Sequence, residues 1–221
     1  MPVAIVIPAR YASSRFPGKA IAAVAGRPLV EHVWRGATAW GGAIRVLVAT
    51  DDDRVARVAR AFGAEVALGG EARTGSDRVA RVGCELGADI VVNVQGDEID
   101  VDREAIDGAI LALEGADIGT VACALESRDH SDRDAVKVVT DTRGFALHFS
   151  RAALAGAQRH VGVYAFRAHF LRVFASLPTG ALERAEGLEQ LRAIEHGHRI
   201  RVTRLLGNYR SINREENLGN G

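Results

Sequence analysis

The chain has 221 residues with 48% hydrophobic and 25% charged side chains, which fits one α/β domain with a sizeable core. Its 28 basic and 28 acidic side chains cancel, excluding a large electrostatic footprint for nucleic acid or an anionic membrane. No apolar run approaches the ~20 residues that span a bilayer, and the chain opens into a strand rather than a signal sequence, so a cytoplasmic enzyme is expected.

Val3–Ile7 is a continuous aliphatic run, as in a strand buried on both faces. Pro28–Ala39 reads as a helix and Arg45–Thr50 as a strand, and Asp51 or Asp52 caps a helix running to Phe62. Glu65–Leu68 is a short strand. Thr74 or Ser76 opens a helix to about Gly87. Asp89–Val94 is a strand, Val101–Glu114 a helix and Ile118–Leu125 a strand. This alternation predicts a mostly parallel sheet flanked by helices, with ligands bound beyond the carboxyl ends of the strands. Ala135–Thr140, Phe145–Ser150 and Val161–Phe166 are short strands, expected to be antiparallel and either to extend the sheet or to form a small flap. Leu182–His196 reads as one helix and Arg199–Leu206 as a last strand. No linker divides the chain, so a single domain is expected, with a flap region at roughly 126–180. Cys84 and Cys123 have neither C-x-x-C spacing nor a histidine cluster, and are expected to be buried thiols.

Two polar segments fall at predicted strand ends. After the first strand, Pro8-Ala-Arg-Tyr-Ala-Ser-Ser-Arg-Phe-Pro-Gly-Lys19 places Arg10, Arg15 and Lys19 among small residues. A triphosphate needs converging cations and backbone N–H groups, and small side chains let the backbone approach it. The segment is neither a Walker A loop nor a dinucleotide fingerprint, because Ser13 stands where the former needs glycine. A solvated loop with scattered charges is the bland alternative. The second segment, Asn93-Val-Gln-Gly-Asp-Glu98, puts Asp97 at the end of another buried strand. Magnesium prefers one or two carboxylates together with phosphate oxygens and water. A turn aspartate with a capping role is the alternative.

These segments resemble the signatures of the CMP-Kdo synthetase (3-deoxy-manno-octulosonate cytidylyltransferase) family of sugar-acid cytidylyltransferases. The resemblance implies a Rossmann-like nucleotidyltransferase fold, a homodimer, and transfer of CMP from CTP to a 2-keto sugar acid such as Kdo. It implies that Pro8, Ala9, Arg10, Ser13, Arg15 and Lys19 hold CTP, with Thr74, Ser76 and Arg78 of Thr74-Gly-Ser-Asp-Arg78 as a second nucleotide loop. Asp97 then binds Mg2+, and Gln95 serves both nucleotide and acceptor. Phe149-Ser-Arg151, Arg159-His-Val-Gly-Val-Tyr164 and Leu188-Glu-Gln-Leu-Arg192 also look like family segments. Through them Arg151, His160, Tyr164, Glu189 and Gln190 become acceptor contacts.

The sequence departs from the family in two places. Only residues 152–159 separate Arg151 from His160, a shorter stretch than the family has. Asn213 stands where the family carries a second metal-binding aspartate, and offers a carbonyl oxygen without charge. Both departures bear on the acceptor, and a small phosphonate such as phosphonoformate is the alternative substrate. Rival classes are a metal-dependent glycosyltransferase using Asp51-Asp-Asp53 and a nucleotide-binding protein without turnover.

Overall fold

The structure is a computed structural model that describes residues 1–12, 16–70, 72 and 74–213. In chain order the elements are β1 (Val3–Pro8), a 3-10 turn at Lys19–Ile21, the hairpin β2 (Ala23–Val24) and β3 (Arg27–Pro28), α1 (Leu29–Ala39), β4 (Ala43–Thr50), α2 (Asp53–Ala61), β5 (Glu65–Leu68), α3 (Gly75–Gly83) and β6 (Ile90–Val94). Then come α4 (Arg103–Leu111), β7 (Ile118–Cys123), β8 (Lys137–Thr140), β9 (Ala146–Ser150), β10 (Gln158–Arg167), α5 (Ala168–Ser176), α6 (Ala181–Glu186), α7 (Leu191–Glu195) and β11 (Ile200–Arg204).

The main sheet runs β11-β7-β10-β6-β1-β4-β5, with β8 and β9 attached beside β10. β1 is parallel to β4 and β6, β4 to β5, and β7 to β11, whereas β10 is antiparallel to both of its central neighbours. Alternate strand residues point to opposite faces. Ile5, Ile7, Val92 and Val94 therefore pack with Val33 of α1, Val55 of α2 and Ile106 of α4. Val6 and Val91 pack with Val79 of α3, Leu171 of α5 and Leu191 of α7. Both faces of the sheet are covered, which is why its strands are uninterrupted apolar runs.

The helix starts follow side-chain chemistry. Asp52, Thr74 and Asp102 each accept a backbone N–H in the first turn of α2, α3 and α4. In the second half Val161–Phe166 extends the sheet, one of the two arrangements expected: it is the core of the ten-residue β10, inserted between β6 and β7. Two features there differ from the sequence reading. Leu182–His196 is two helices, because Gly187 adopts a left-handed φ of 63° that ends α6, and α7 begins only at Leu191. α5 was not anticipated, although Phe170, Leu171 and Phe174 form its buried stripe. In addition α3 ends at Gly83 rather than near Gly87. Cys123 is buried as expected, but Cys84 is only half-buried. No helix among the described residues is long and apolar enough to cross a membrane.

The contrast within α5 is testable. Leu171 is fully buried while Val173 is 41% exposed. Leu171→Ala is expected to cost about 2–5 kcal/mol in urea denaturation, and Val173→Ala to stay within about 0.5 kcal/mol of the parent.

Candidate active site

The loop expected to hold phosphates, termed the phosphate loop, leaves β1 at Pro8 and is tied at its root, where Ala9 N–H donates to Ala49 O at 2.9 Å. It closes where Gly18 N–H donates to Tyr11 O at 2.8 Å. The Arg54 guanidinium stacks 3.3 Å from the centre of the Tyr11 ring, holding the loop against α2. Arg10 and Lys19 line one cavity with Pro8, Ala9, Gly96 and Asp97. Ser13 and Arg15 lie outside the described residues.

The Asn93–Glu98 segment ends β6 beside this loop. Gly96 is required there, since a Cβ would lie 2.6 Å from Pro8 O. This close approach brings Asp97 opposite the phosphate loop, and Lys19 Nζ donates to Asp97 Oδ2 at 2.6 Å. Asp97 borders a second cavity as well, together with Arg151, His160, Tyr164, Glu189, Gln190 and Asn213. Gln95, Asp97 and Glu189 line both cavities, so the two are neighbouring halves of one cleft.

Of the expected second nucleotide loop, Ser76 borders the cavity of Arg151 and His160 rather than that of Arg10 and Lys19, and Thr74 caps α3 by accepting from Asp77 N–H at 3.1 Å. Ser76 Oγ accepts from Asn93 Nδ2 at 3.4 Å, and Asn93 Oδ1 accepts from Gln95 Nε2 at 3.3 Å. Arg78 is buried; its Nη2 donates to Asp51 Oδ2 at 2.5 Å, while its Nε and Nη1 have no hydrogen-bond partner among the described residues. Asp51 and Asp52 are thus engaged with Arg78 and the α2 cap, which leaves Asp51-Asp-Asp53 unlike a metal-binding triad.

On the other side, His160, Gly162 and Tyr164 share one face of β10, and the His160 and Tyr164 rings lie 5.1 Å apart. Thr120 Oγ1 donates to Val163 O at 2.8 Å, so it must accept from His160 Nε2 at 3.0 Å. That bond fixes the proton on Nε2 and leaves Nδ1 as an acceptor. Arg151 is steered by Glu186 O and Arg133 O. Glu189, expected on a helix, sits in the turn between α6 and α7, and its carboxylate accepts from Gly75 and Ser76 N–H at 3.0 and 2.8 Å. Gln190 is buried next to it.

Three cleft residues escaped the sequence reading. Glu98 is buried and accepts from Gly162 N–H at 2.8 Å; burial and then the neighbouring Asp97 push its carboxyl up to about 8. Asn93 links Ser76 to Gln95. Arg159 donates to Tyr209 O and to Ser211 Oγ, securing the strap over Tyr209–Asn213. The strap is also held by Ile212 N–H on Asp97 O at 3.0 Å. Glu98 and Arg159 each adjoin a residue singled out in a polar segment, and that adjacency was the available signal.

Burial, with a smaller contribution from Arg159, lowers the His160 pKa from 6.5 to about 3. Between those values the unfolded chain binds a proton that the folded chain refuses. His160 therefore contributes stability above pH 6.5 that is lost as pH falls toward about 3. His160→Gln should reduce the drop in urea-denaturation free energy between about pH 7 and about pH 5; an unchanged drop would assign it to other groups.

The cleft has counterparts in known proteins. A curated 3-deoxy-manno-octulosonate cytidylyltransferase from an Anaeromyxobacter species is 50% identical over 212 residues, covering 90% of this chain and 87% of the relative. A protein of the same name from Geobacter sulfurreducens is 43% identical, covering 91% and 90%. A solved structure of CMP:2-keto-3-deoxy-manno-octonic acid synthetase complexed with CTP superimposes with a TM-score of 0.90 at 33% identity, over 100% of this chain and 96% of that one. The sequence profile described as Cytidylyltransferase matches residues 4–200, and the chain belongs to that family.

Proposed function

We propose that this protein transfers CMP from CTP to 3-deoxy-manno-octulosonate (Kdo) or a related 2-keto sugar acid, releasing pyrophosphate. The observation that carries the proposal is the meeting of Lys19 and Asp97 between two cavities, one lined by the phosphate loop and the other by Arg151, His160 and Tyr164. Relatives at 43–50% identity that bear the Kdo cytidylyltransferase name support the choice of acceptor.

In this scheme Arg10 and Lys19, with Ser13 and Arg15 of the same loop, hold the triphosphate. Ser76 and Arg78 of α3 contact the nucleotide in this scheme, as the family resemblance implies. Arg151 binds the acceptor's carboxylate, for which its fork of N–H groups is suited. His160 Nδ1, Gln190 and Gln95 take acceptor hydroxyls. An acceptor oxygen then attacks the α-phosphorus, the new P–O bond forms, and the α–β anhydride bond breaks opposite it. Lys19 and Arg10 offset charge on the leaving pyrophosphate. Neither a histidine nor a cysteine nucleophile is required, because positioning and electrostatics suffice for such transfer.

A magnesium ion fits the donor set. The Asp97 carboxylate is 24% exposed, and Asn213 borders the same cavity with an amide oxygen to offer. When bound, the ion would compensate charge on the α-phosphate. Lys19, which holds Asp97 in the structure, would move its cation to the phosphates and free Asp97 for the metal. A homodimer, as the family resemblance implies, and a cytoplasmic setting are part of the proposal.

Purified protein with CTP, Mg2+ and Kdo should release pyrophosphate, and excess EDTA should stop it. Release with phosphonoformate and not with Kdo would overturn the sugar-acid acceptor. Lys19→Ala and Asp97→Ala should each lower kcat by about a hundredfold or more while circular dichroism and Tm stay near those of the parent. Parental turnover in either variant would remove that residue from the mechanism.

A further inference from the structure

The turn Leu188–Gln190 borders the acceptor cavity, and the first turn of α3 lies against both cavities, with Gly75 on that of Arg10 and Lys19 and Ser76 on that of Arg151 and His160. Two sets of bonds join these segments. One is the Glu189 carboxylate on Gly75 and Ser76 N–H. The other comes from Arg192, whose Nη1 donates to Asp77 Oδ1 at 2.8 Å. Arg192 is fully buried. Its Nε and Nη2 fork onto Glu183 at 2.8 and 2.6 Å, and its guanidinium lies 5.0 Å from the centre of the Phe174 ring. Its own backbone N–H donates to Glu189 O at 3.1 Å, so one residue grips the Leu188–Gln190 turn by its backbone and the first turn of α3 by its side chain.

Desolvating an arginine and two carboxylates offsets most of their attraction, so a buried cluster of this kind is a weak source of net stability. What it supplies is geometry, since a planar fork held by Glu183 leaves its third nitrogen only one direction. We propose that Arg192 is a positioning residue that, through Asp77, locks the acceptor-side turn to the first turn of α3, so that each substrate on binding orders the wall used by the other. The inference rests on the two-substrate function proposed above. Its consequence is reciprocal: Kdo tightens nucleotide binding by the same factor by which nucleotide tightens Kdo.

The test uses α,β-methylene-CTP, which cannot transfer CMP, titrated into the full chain with and without Kdo. Kdo should tighten the parent's binding by about fivefold or more. Asp77→Ala keeps the Arg192–Glu183 fork and the Glu189 bonds but removes the Arg192 link to α3, and should lower that factor by about twofold or more. In turnover assays it should raise KM for both substrates while kcat stays within about threefold. Arg192→Lys, which retains the charge, should keep part of the coupling. Parental coupling in folded Asp77→Ala and Arg192→Lys, or none in the parent, would overturn the inference. Failure of the parent to bind the analogue at all would overturn the cytidylyltransferase function beneath it.

Discussion

Two hydrogen bonds at Gly162 hold the cleft together. Gln95 N–H donates to Gly162 O at 2.8 Å, and Gly162 N–H donates to Glu98 Oε1 at the same distance. They stitch the middle of β10 to the segment that carries Asp97. They exist only because β10 runs antiparallel between β6 and β7 in the centre of the sheet. A strand from the second half of the chain thereby delivers His160 and Tyr164 to the carboxyl end of a strand from the first half. Without that insertion the phosphate loop and Asp97 would line a nucleotide cavity with no wall for an acceptor.

Charge is distributed to match. The chain as a whole is neutral, yet ionisable groups crowd the cleft and its walls: Lys19 and Asp97 within it, Arg78 of α3 paired with Asp51, and Arg192 with Glu183 and Asp77 behind. Lys137, fully buried, donates to Asp132 O and Arg151 O, anchoring the wall from which Arg151 reaches the acceptor cavity. Burial lowers its pKa, and the nearby carboxylates of Asp132 and Asp129 oppose that shift. Buried charges held this way fix where atoms sit more than they stabilise the fold. Fixed dipoles and charges that need not reorganise are what transfer to a phosphorus centre demands.

The first half of the chain was legible because its signals are local. Strands buried on both faces read as aliphatic runs, and Asp52 and Thr74 cap helices by bonding their own neighbours. The second half depends on contacts distant in sequence. Nothing local in Gln158–Arg167 distinguishes a central strand from a flap strand, since both are apolar and β-branched. The continuous helical pattern of Leu182–His196 concealed Gly187, whose left-handed backbone turns the chain so that Glu189 and Gln190 leave the helix and face the cleft. The phosphate loop and the Asp97 segment stood out because each places several polar groups directly after a buried strand. Glu98 and Arg159 did not, because what marks them is burial and partnership with Gly162, Tyr209 and Ser211.

Glu189 shows most clearly what position alone leaves open. From sequence it is an acceptor contact beside Gln190, or else a solvated helix residue. In the fold its two oxygens satisfy the N–H groups of Gly75 and Ser76, the free donors at the start of α3. A carboxylate there complements the positive end of the helix dipole. It also occupies backbone donors that a phosphate would otherwise attract. In the proposed function this turns the triphosphate away from α3 toward the other rim, where Arg10 and Lys19 stand. One side chain that borders both cavities thus stands at the division between the two proposed ends of the cleft.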